Sequence, residues 1–85
     1  MFIGAPYTEI DISRLNHGVK LIDILVESGM ILSKRKANQL ILQGGAYINN
    51  IRILDPRALI SINDLKNDVI LLRSGKKHFH QIIPK

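Results

Sequence analysis

The clearest periodic stretch of the chain covers residues 33–45. Apolar positions recur there at helical spacing, at Ala37, Leu40, Ile41 and Gly44. Ser33 stands where an N-cap residue is expected, because its hydroxyl can accept hydrogen bonds from the backbone N–H groups of the first turn. The Gly44–Gly45 pair stands where a left-handed C-cap ends a helix. The pattern therefore predicts a helix that starts after Ser33 and ends at the glycine pair.

A second helical pattern precedes it, over residues 20–28. Its apolar stripe consists of Leu21, Ile22, Ile24 and Leu25. Gly29 supplies a stop signal for this helix. Because only a short link separates the two patterns, they predict an αα-hairpin.

After residue 45 the apolar period changes from helical spacing to two. The segments Ala46–Ile48 and Ile51–Ile53 alternate, and they flank Asn49 and Asn50. Asparagine tolerates positive φ, so two asparagines between alternating segments indicate a β-hairpin.

The remaining segments complete an α+β pattern. Residues 59–62 are interpreted as a brief strand or a packed loop, residues 69–72 as a buried strand and residues 76–83 as the last strand. Helices followed by successive strands predict a two-helix hairpin packed on one side of a small, mostly antiparallel β-sheet.

The first 19 residues show no sustained period and are interpreted as an N-terminal arm or linker, with a short turn at residues 11–15. Residues 20–85 are then the domain itself. Phe2, Ile3 and Tyr7 in the arm are apolar enough to pack against another part of the protein.

Length and composition bound these expectations. A chain of 85 residues predicts one small domain, and 46% hydrophobic with only 5% aromatic residues predicts an aliphatic core. The absence of cysteine excludes disulfides and thiolate metal sites. No apolar run approaches the roughly 20 residues that cross a bilayer, and the N-terminus lacks the pattern of a secretion signal.

The charge balance says more about binding partners than the composition does. Twelve lysines and arginines stand against seven acidic residues, which gives a net charge of +5 and a pI near 9.9. A basic balance in a small domain favours polyanion partners, nucleic acid first and an anionic membrane surface second.

The basic residues relevant to such a partner form three groups, namely Lys34–Lys36, Arg52, and Arg73 with Lys76 and Lys77. The first group fills the first turn of a helix, where the helix dipole favours carboxylates. A local rule broken at an exposed position is typical of a functional site. Together with the free N–H groups of that turn, these cations indicate an anion site, most simply a phosphate site.

We expect the basic groups to converge. If the second helix packs beside the first hairpin, Arg52 lies near the N-terminal half of that helix. If the turn carrying Lys76 and Lys77 approaches the same face, the result is a cationic shelf. Its hydrogen-bonding partners are then Asn38, Gln39 and His78.

Such a shelf contains few aromatic residues. Tyr47 and Phe79 are candidates for base stacking, and core packing is the alternative role for each. A basic surface poor in aromatics suits reading the backbone and shape of folded RNA better than gripping extended single strands.

No catalytic constellation is found in the sequence. His78 and His80 fall on one face of the last strand, but a zinc site needs three or four ligands and only His17 remains. The alternatives are an RNA contact by histidine or a strand side that simply faces solvent.

Residues of the two helices and the hairpin carry a known pattern. They are Ile24-Leu25, Glu27-Ser-Gly29, Ser33 to Ala37, Leu40-Ile41, Gly44 to Asn49 and Ile53. This pattern, over residues 21–54, resembles the RNA-binding domain named after ribosomal small-subunit protein four.

The two ends of the chain narrow this resemblance. Leu71-Leu-Arg-Ser-Gly-Lys-Lys-His-Phe-His80 is similar to the ending of bacterial-type tyrosyl-tRNA synthetases, where an arginine pair, a glycine, two lysines and an aromatic recur. Gly4-Ala-Pro6 and Glu9-Ile10 resemble the linker that leaves the anticodon-binding helical domain of that family.

The resemblance implies a non-catalytic C-terminal appendage that docks tyrosine tRNA at its anticodon arm and long variable arm. It implies the tRNA and the catalytic domain of the same polypeptide as partners, with no membrane, metal or cofactor, inside the cell (cytoplasm, or mitochondrial matrix if organellar). The implied RNA-facing residues are Ser33, Lys34, Arg35, Asn38, Gln39, Arg73, Lys76, Lys77 and His78, and the charge argument adds Arg52.

Several positions depart from the family pattern. Asn50 replaces the usual glycine of the hairpin, Asn38 a frequent arginine, Ser74 the second arginine of the tail pair, and Gln81 an apolar residue. Because two of these changes remove cations, we expect weaker RNA binding than in a typical member, or a tRNA of different shape.

Three alternatives stay open at this point. One is a free-standing module of the same superfamily that binds ribosomal RNA. Another is the guide domain of a pseudouridine synthase. The third is a structural or protein-interaction domain whose basic surface serves only solubility.

Overall fold

A computed structural model of the chain describes residues 6–85. The strands are β1 (Tyr7–Ile10), β2 (Val19–Lys20), β3 (Ala46–Ile48), β4 (Ile51–Ile53), β5 (Leu59–Ile60), β6 (Ile70–Ser74) and β7 (His78–Pro84). The helices are α1 (Ile12–His17), α2 (Leu21–Glu27) and α3 (Lys34–Leu42), and a 3-10 turn covers Ile62–Asp64. The predicted α+β class is confirmed.

Within residues 6–85, the main sheet has five strands in the order β1-β7-β6-β3-β4. Of the neighbouring pairs described there, only β1 and β7 run parallel, and the others are antiparallel, as the sequence predicts. A separate two-stranded ladder joins β2 to β5. Residues 59–62 thus contain a short strand, as the first of the two interpretations of this segment predicts, and are not simply a packed loop.

The three helices share one face of the main sheet. Alternate residues of the strands, such as Ile48, Leu72 and Ile82, point into a core that also holds Leu15 of α1 and Ile41 of α3. The largest fully buried side chains are Leu15, Leu21, Leu25, Ile41, Ile60, Ile70, Leu72 and Ile82. The core is therefore aliphatic, and the other face of the sheet carries no described helix.

The local signals of α3 and the hairpin are confirmed. The Ser33 hydroxyl accepts a hydrogen bond from the Lys36 N–H at 3.2 Å, and Gly44 takes a φ of 78° just beyond the helix end. Asn49 and Asn50, with φ of 51° and 67°, form the two-residue turn between β3 and β4. Positive φ at both central residues is the geometry that fits the twist of a hairpin.

The described part of the N-terminal arm is folded onto the sheet. Residues 7–10 form the edge strand β1, and the predicted turn at residues 11–15 is the start of a helix capped by the Asp11 side chain. Arg14 of that helix donates two hydrogen bonds of 2.8 Å to the Glu27 carboxylate. Tyr7 is 61% exposed, whereas Phe2 and Ile3 lie outside the described residues. The division of the chain at residue 19 stays a prediction.

Candidate nucleic-acid interface

The first turn of α3 presents its three cations to solvent. Lys34, Arg35 and Lys36 are all exposed, while Ala37 and Ile41 on the opposite side are fully buried. Lys34 Nζ lies 3.4 Å from Asp23 Oδ1 of α2, an exposed pair worth at most about 1 kcal/mol. Arg35 and Lys36 form no ion pair within residues 6–85. Gln39 is exposed beside them, and Asn38 is half-buried.

A second cationic group lies on the open face of the sheet, away from the helices. The strand register places Arg52 of β4 opposite Tyr47 of β3, Tyr47 opposite Arg73 of β6, and Arg73 opposite Phe79 of β7. These four residues, hereafter the arginine row, therefore cross four strands side by side on one face.

Tyr47 contacts both guanidinium groups of the arginine row. Arg52 donates to the Tyr47 hydroxyl from Nη2 at 2.9 Å and from Nε at 3.3 Å. This hydrogen bond to the Arg52 guanidinium lowers the pKa of the Tyr47 phenol. Arg73 stacks its guanidinium 3.8 Å from the Tyr47 ring centroid and 5.9 Å from that of Phe79. The aromatic residues of the row thus hold two arginines in fixed positions.

No described residue accepts a hydrogen bond from the Arg73 side chain or pairs with its charge, and its Nε is buried without a partner there. The residue as a whole is only half-buried. A phosphate oxygen is a strong acceptor for the N–H groups of a guanidinium. The row is therefore chemically suited to an oxyanion.

The tail turn, residues 75–77, joins the row to α3 at its C-terminal end. The Gly75 N–H donates to the Gly45 carbonyl at 2.8 Å, and Lys76 and Lys77 are exposed. A Cβ at Gly44 would lie 3.5 Å from Cδ of Arg52. Arg52 thus packs beside the end of α3, and its expected place near the N-terminal half of that helix is wrong.

The cause of this difference is the reversal at Gly44 and Gly45. It leads the chain directly from α3 into β3, so the hairpin begins at the C-terminal end of the helix. At 1.5 Å per residue, the first turn of α3 lies roughly 13 Å along the helix from that end. The basic residues singled out from the sequence therefore form two separate groups. Residues 34–36 lie at the N-terminal end of α3, and Arg52, Arg73 and the tail turn lie at its C-terminal end.

The two histidines of β7 have different surroundings. His78 is exposed beside the tail turn, whereas His80 is only 6% exposed and points into the helix-covered side. A hydrogen bond of 2.7 Å links His80 Nε2 to the Thr8 hydroxyl of β1, and burial lowers the pKa of His80. A solvent-facing side of the strand is therefore the wrong interpretation for His80. No local pattern in the sequence indicates that Thr8 contacts His80, because the two residues are 72 positions apart.

Two further findings concern the described residues only. No group of three or more His, Asp or Glu side chains there is arranged to hold a metal ion. None of the helices has the length and apolar character needed to cross a membrane.

Comparisons with known proteins agree on one family. A family model described as the tyrosine–tRNA ligase SYY-like C-terminal domain matches residues 1–82. The chain is 42% identical over 79 residues to a tyrosine–tRNA ligase of Treponema denticola, covering 92% of this chain and 20% of that protein. It is 38% identical over 80 residues to one of Desulfatibacillum aliphaticivorans, covering 94% and 19%. The chain thus spans about a fifth of the length of these curated relatives.

A solved structure shares the fold along nearly the whole chain. The solution structure of a tyrosyl-tRNA synthetase C-terminal domain matches with a TM-score of 0.76 at 28% identity. The match covers 99% of this chain and 82% of that one.

Proposed function

The chain belongs to the family of SYY-like C-terminal domains of tyrosine–tRNA ligases, and we propose that it is a tRNA-docking domain that takes no part in bond chemistry. Its ligand is tyrosine tRNA, held at the anticodon arm and variable arm. Its second partner is the catalytic domain of the same ligase polypeptide, and its place of action is inside the cell. The family match favours this role over ribosomal-RNA binding and over the guide domain of a pseudouridine synthase.

One observation carries the proposal. Of the six cations proposed to contact RNA, Lys34 alone forms an ion pair within residues 6–85, whereas Arg35, Arg52, Arg73, Lys76 and Lys77 form none. Cations left without carboxylate partners keep their charge available to phosphates, and neutralising phosphates releases condensed counterions. The uncharged residues of the proposed contact surface are Ser33, Asn38, Gln39 and His78.

The two cationic groups give the proposal its geometry. Backbone contacts fix orientation without reading sequence, so groups at both ends of α3 can grip the RNA at two places about a helix length apart. Docking of this kind lowers the dissociation rate and holds the acceptor end in reach of a distant active site.

The test is a titration of the 85-residue chain with tyrosine tRNA at several salt concentrations. Each phosphate contact contributes roughly 0.7 to 0.9 to the negative slope of log K against log salt. We expect Lys34→Ala with Arg35→Ala to reduce the slope by about 1.4 to 1.8. The matched control is Lys85→Ala, at the other end of β7 from His78, which leaves the slope unchanged. Binding that does not depend on salt, or that survives the helix substitutions intact, contradicts the proposal.

A further inference from the structure

A concave pocket of about 570 Å³ opens on the face of the sheet that the helices leave uncovered. Its volume lies within the roughly 300–1,000 Å³ typical of small-ligand sites. Val69 and Leu71 supply an apolar floor with Gln81 opposite Leu71, and the exposed residues Asn50, Lys66 and Asn67 stand at its rim. An apolar surface edged by a few polar groups is the usual composition of a site for a flat, partly polar ligand.

The two rim amides are free to bind. Asn50 and Asn67 are exposed at turns where φ is 67° and 52°, and neither side chain makes a hydrogen bond within residues 6–85. Asn49 at the same pocket differs, because its amide donates to the Asp64 carbonyl and accepts from the Leu71 N–H. A primary amide offers donors and an acceptor together, which matches the edge of a nucleobase.

The pocket adjoins the arginine row. Leu71 of the floor and Arg73 of the row lie on the same face of β6, two residues or about 6.7 Å apart. Arg73 is held by its stack on Tyr47, is only half-buried, and forms no ion pair within residues 6–85. A base lying on the floor therefore has its own or the neighbouring phosphodiester within reach of this guanidinium.

We propose that the open face of the sheet binds one unpaired nucleotide of the RNA. Its base lies over Val69 and Leu71 with its edge on the amides of Asn50 and Asn67, and its phosphodiester accepts hydrogen bonds from Arg73. The nucleotide is unpaired because stacked bases of an A-form duplex do not present a free face and edge together. This inference rests on the proposed function. It adds a contact with one base to the phosphate contacts proposed there.

The test compares two RNAs, a hairpin with an unpaired loop and the same stem closed into a continuous duplex. The 85-residue chain is expected to bind the hairpin about tenfold more tightly, the order that hydrogen bonds to the two rim amides contribute. The double variant Asn50→Gly, Asn67→Gly removes both rim amides. Glycine adopts positive φ readily, so both turns keep their backbone conformation. The variant is expected to lose most of the tenfold preference and to bind the duplex as the natural chain does. Its thermal unfolding is measured alongside, because an unchanged midpoint separates loss of contact from loss of fold.

The methyl NMR signals of Val69 and Leu71 provide a second measurement. They are expected to shift on addition of the hairpin and to stay in place with the duplex. If both RNAs bind equally and these signals do not move, the inference is overturned while tRNA docking stands. If neither RNA binds while tyrosine tRNA does, the inference is overturned and tRNA docking stands. If tyrosine tRNA does not bind either, the proposed function fails and the inference fails with it.

Discussion

The two faces of the main sheet are built from the same strands and serve different purposes. Leu72 of β6 is fully buried beneath the helices, while its neighbour Arg73 stacks on Tyr47 on the other face. Side chains alternate along a strand, so one register fixes both faces at once. The comparison indicates that the helix-covered face provides stability and that the open face, being free of that task, can carry cations and amides for a ligand.

The largest expected effect comes from the covered face. Leu72→Ala removes a side chain with no exposed area, so it should lower the free energy of unfolding by about 2–5 kcal/mol. Urea denaturation followed by circular dichroism measures this change. A loss below about 1 kcal/mol would contradict the assignment of this face to the core.

The neighbouring position on the open face should respond in the opposite way. Arg73→Ala removes cation–π contacts with Tyr47 and Phe79 at a half-buried position, worth about 0.5–2 kcal/mol, so stability should fall less than in Leu72→Ala. The same change should reduce the salt slope of tRNA binding by roughly 0.7 to 0.9, since one phosphate contact is lost. Denaturation and salt titration of this one variant therefore separate the two faces. If Arg73→Ala costs as much stability as Leu72→Ala, the division between the faces is wrong.

A smaller effect concerns the junction of β1 and β7. Burial holds the pKa of His80 below its usual value near 6.5, so the unfolded chain takes up a proton before the folded one does. The stability tied to His80 is thus fully present above about pH 6.5 and is lost as the pH falls through the lower folded pKa. One such group gives a slope of at most about 1.4 kcal/mol per pH unit.

This pH dependence can be isolated by substitution. Hydrogen bonds from Ser13 and Arg14 also lower the pKa values of Asp11 and Glu27. The stability that these two carboxylates provide changes only at pH values below about 4.5. His80→Gln should therefore flatten the stability curve in the range just below pH 6.5 and leave the acid limb in place. A curve that keeps its slope in that range assigns the effect to another group.

The smallest expected effect is at the exposed end of α3. Lys34→Ala breaks only the surface pair with Asp23, so the free energy of unfolding should change by less than about 1 kcal/mol. Thermal unfolding of Lys34→Ala and Leu72→Ala, measured side by side, gives the smallest and the largest expected losses of stability. A large loss would show that α3 depends on this pair and not on the burial of Ala37 and Ile41.

The parts of the fold that the sequence predicts are those governed by neighbouring residues. The cap at Ser33, the end of α3 at Gly44 and the turn at Asn49 each depend on side chains within a few positions. The two-residue turn even implies that Tyr47 faces Arg52, and that register could have revealed half of the arginine row in advance.

The parts that the sequence does not predict depend on distant pairings. The β1 strand pairs with β7, and Thr8 bonds to His80, across 72 positions of the chain. The tail turn meets Gly45 rather than the first turn of α3, because that contact follows from the order of strands in the sheet. Periodicity tells which residues share a face of one element, but not which element lies beside it.

The most direct test of the account is an NMR titration of the chain with tyrosine tRNA that follows the Nε–Hε signals of its arginines. The signals of Arg35, Arg52 and Arg73 are expected to shift as the tRNA binds. The signal of Arg14, which is already paired with Glu27, should not shift. Shifts confined to Arg14 or Arg57, or bound tRNA with the Arg52 and Arg73 signals unmoved, would contradict the assignment of RNA docking to the open face and α3.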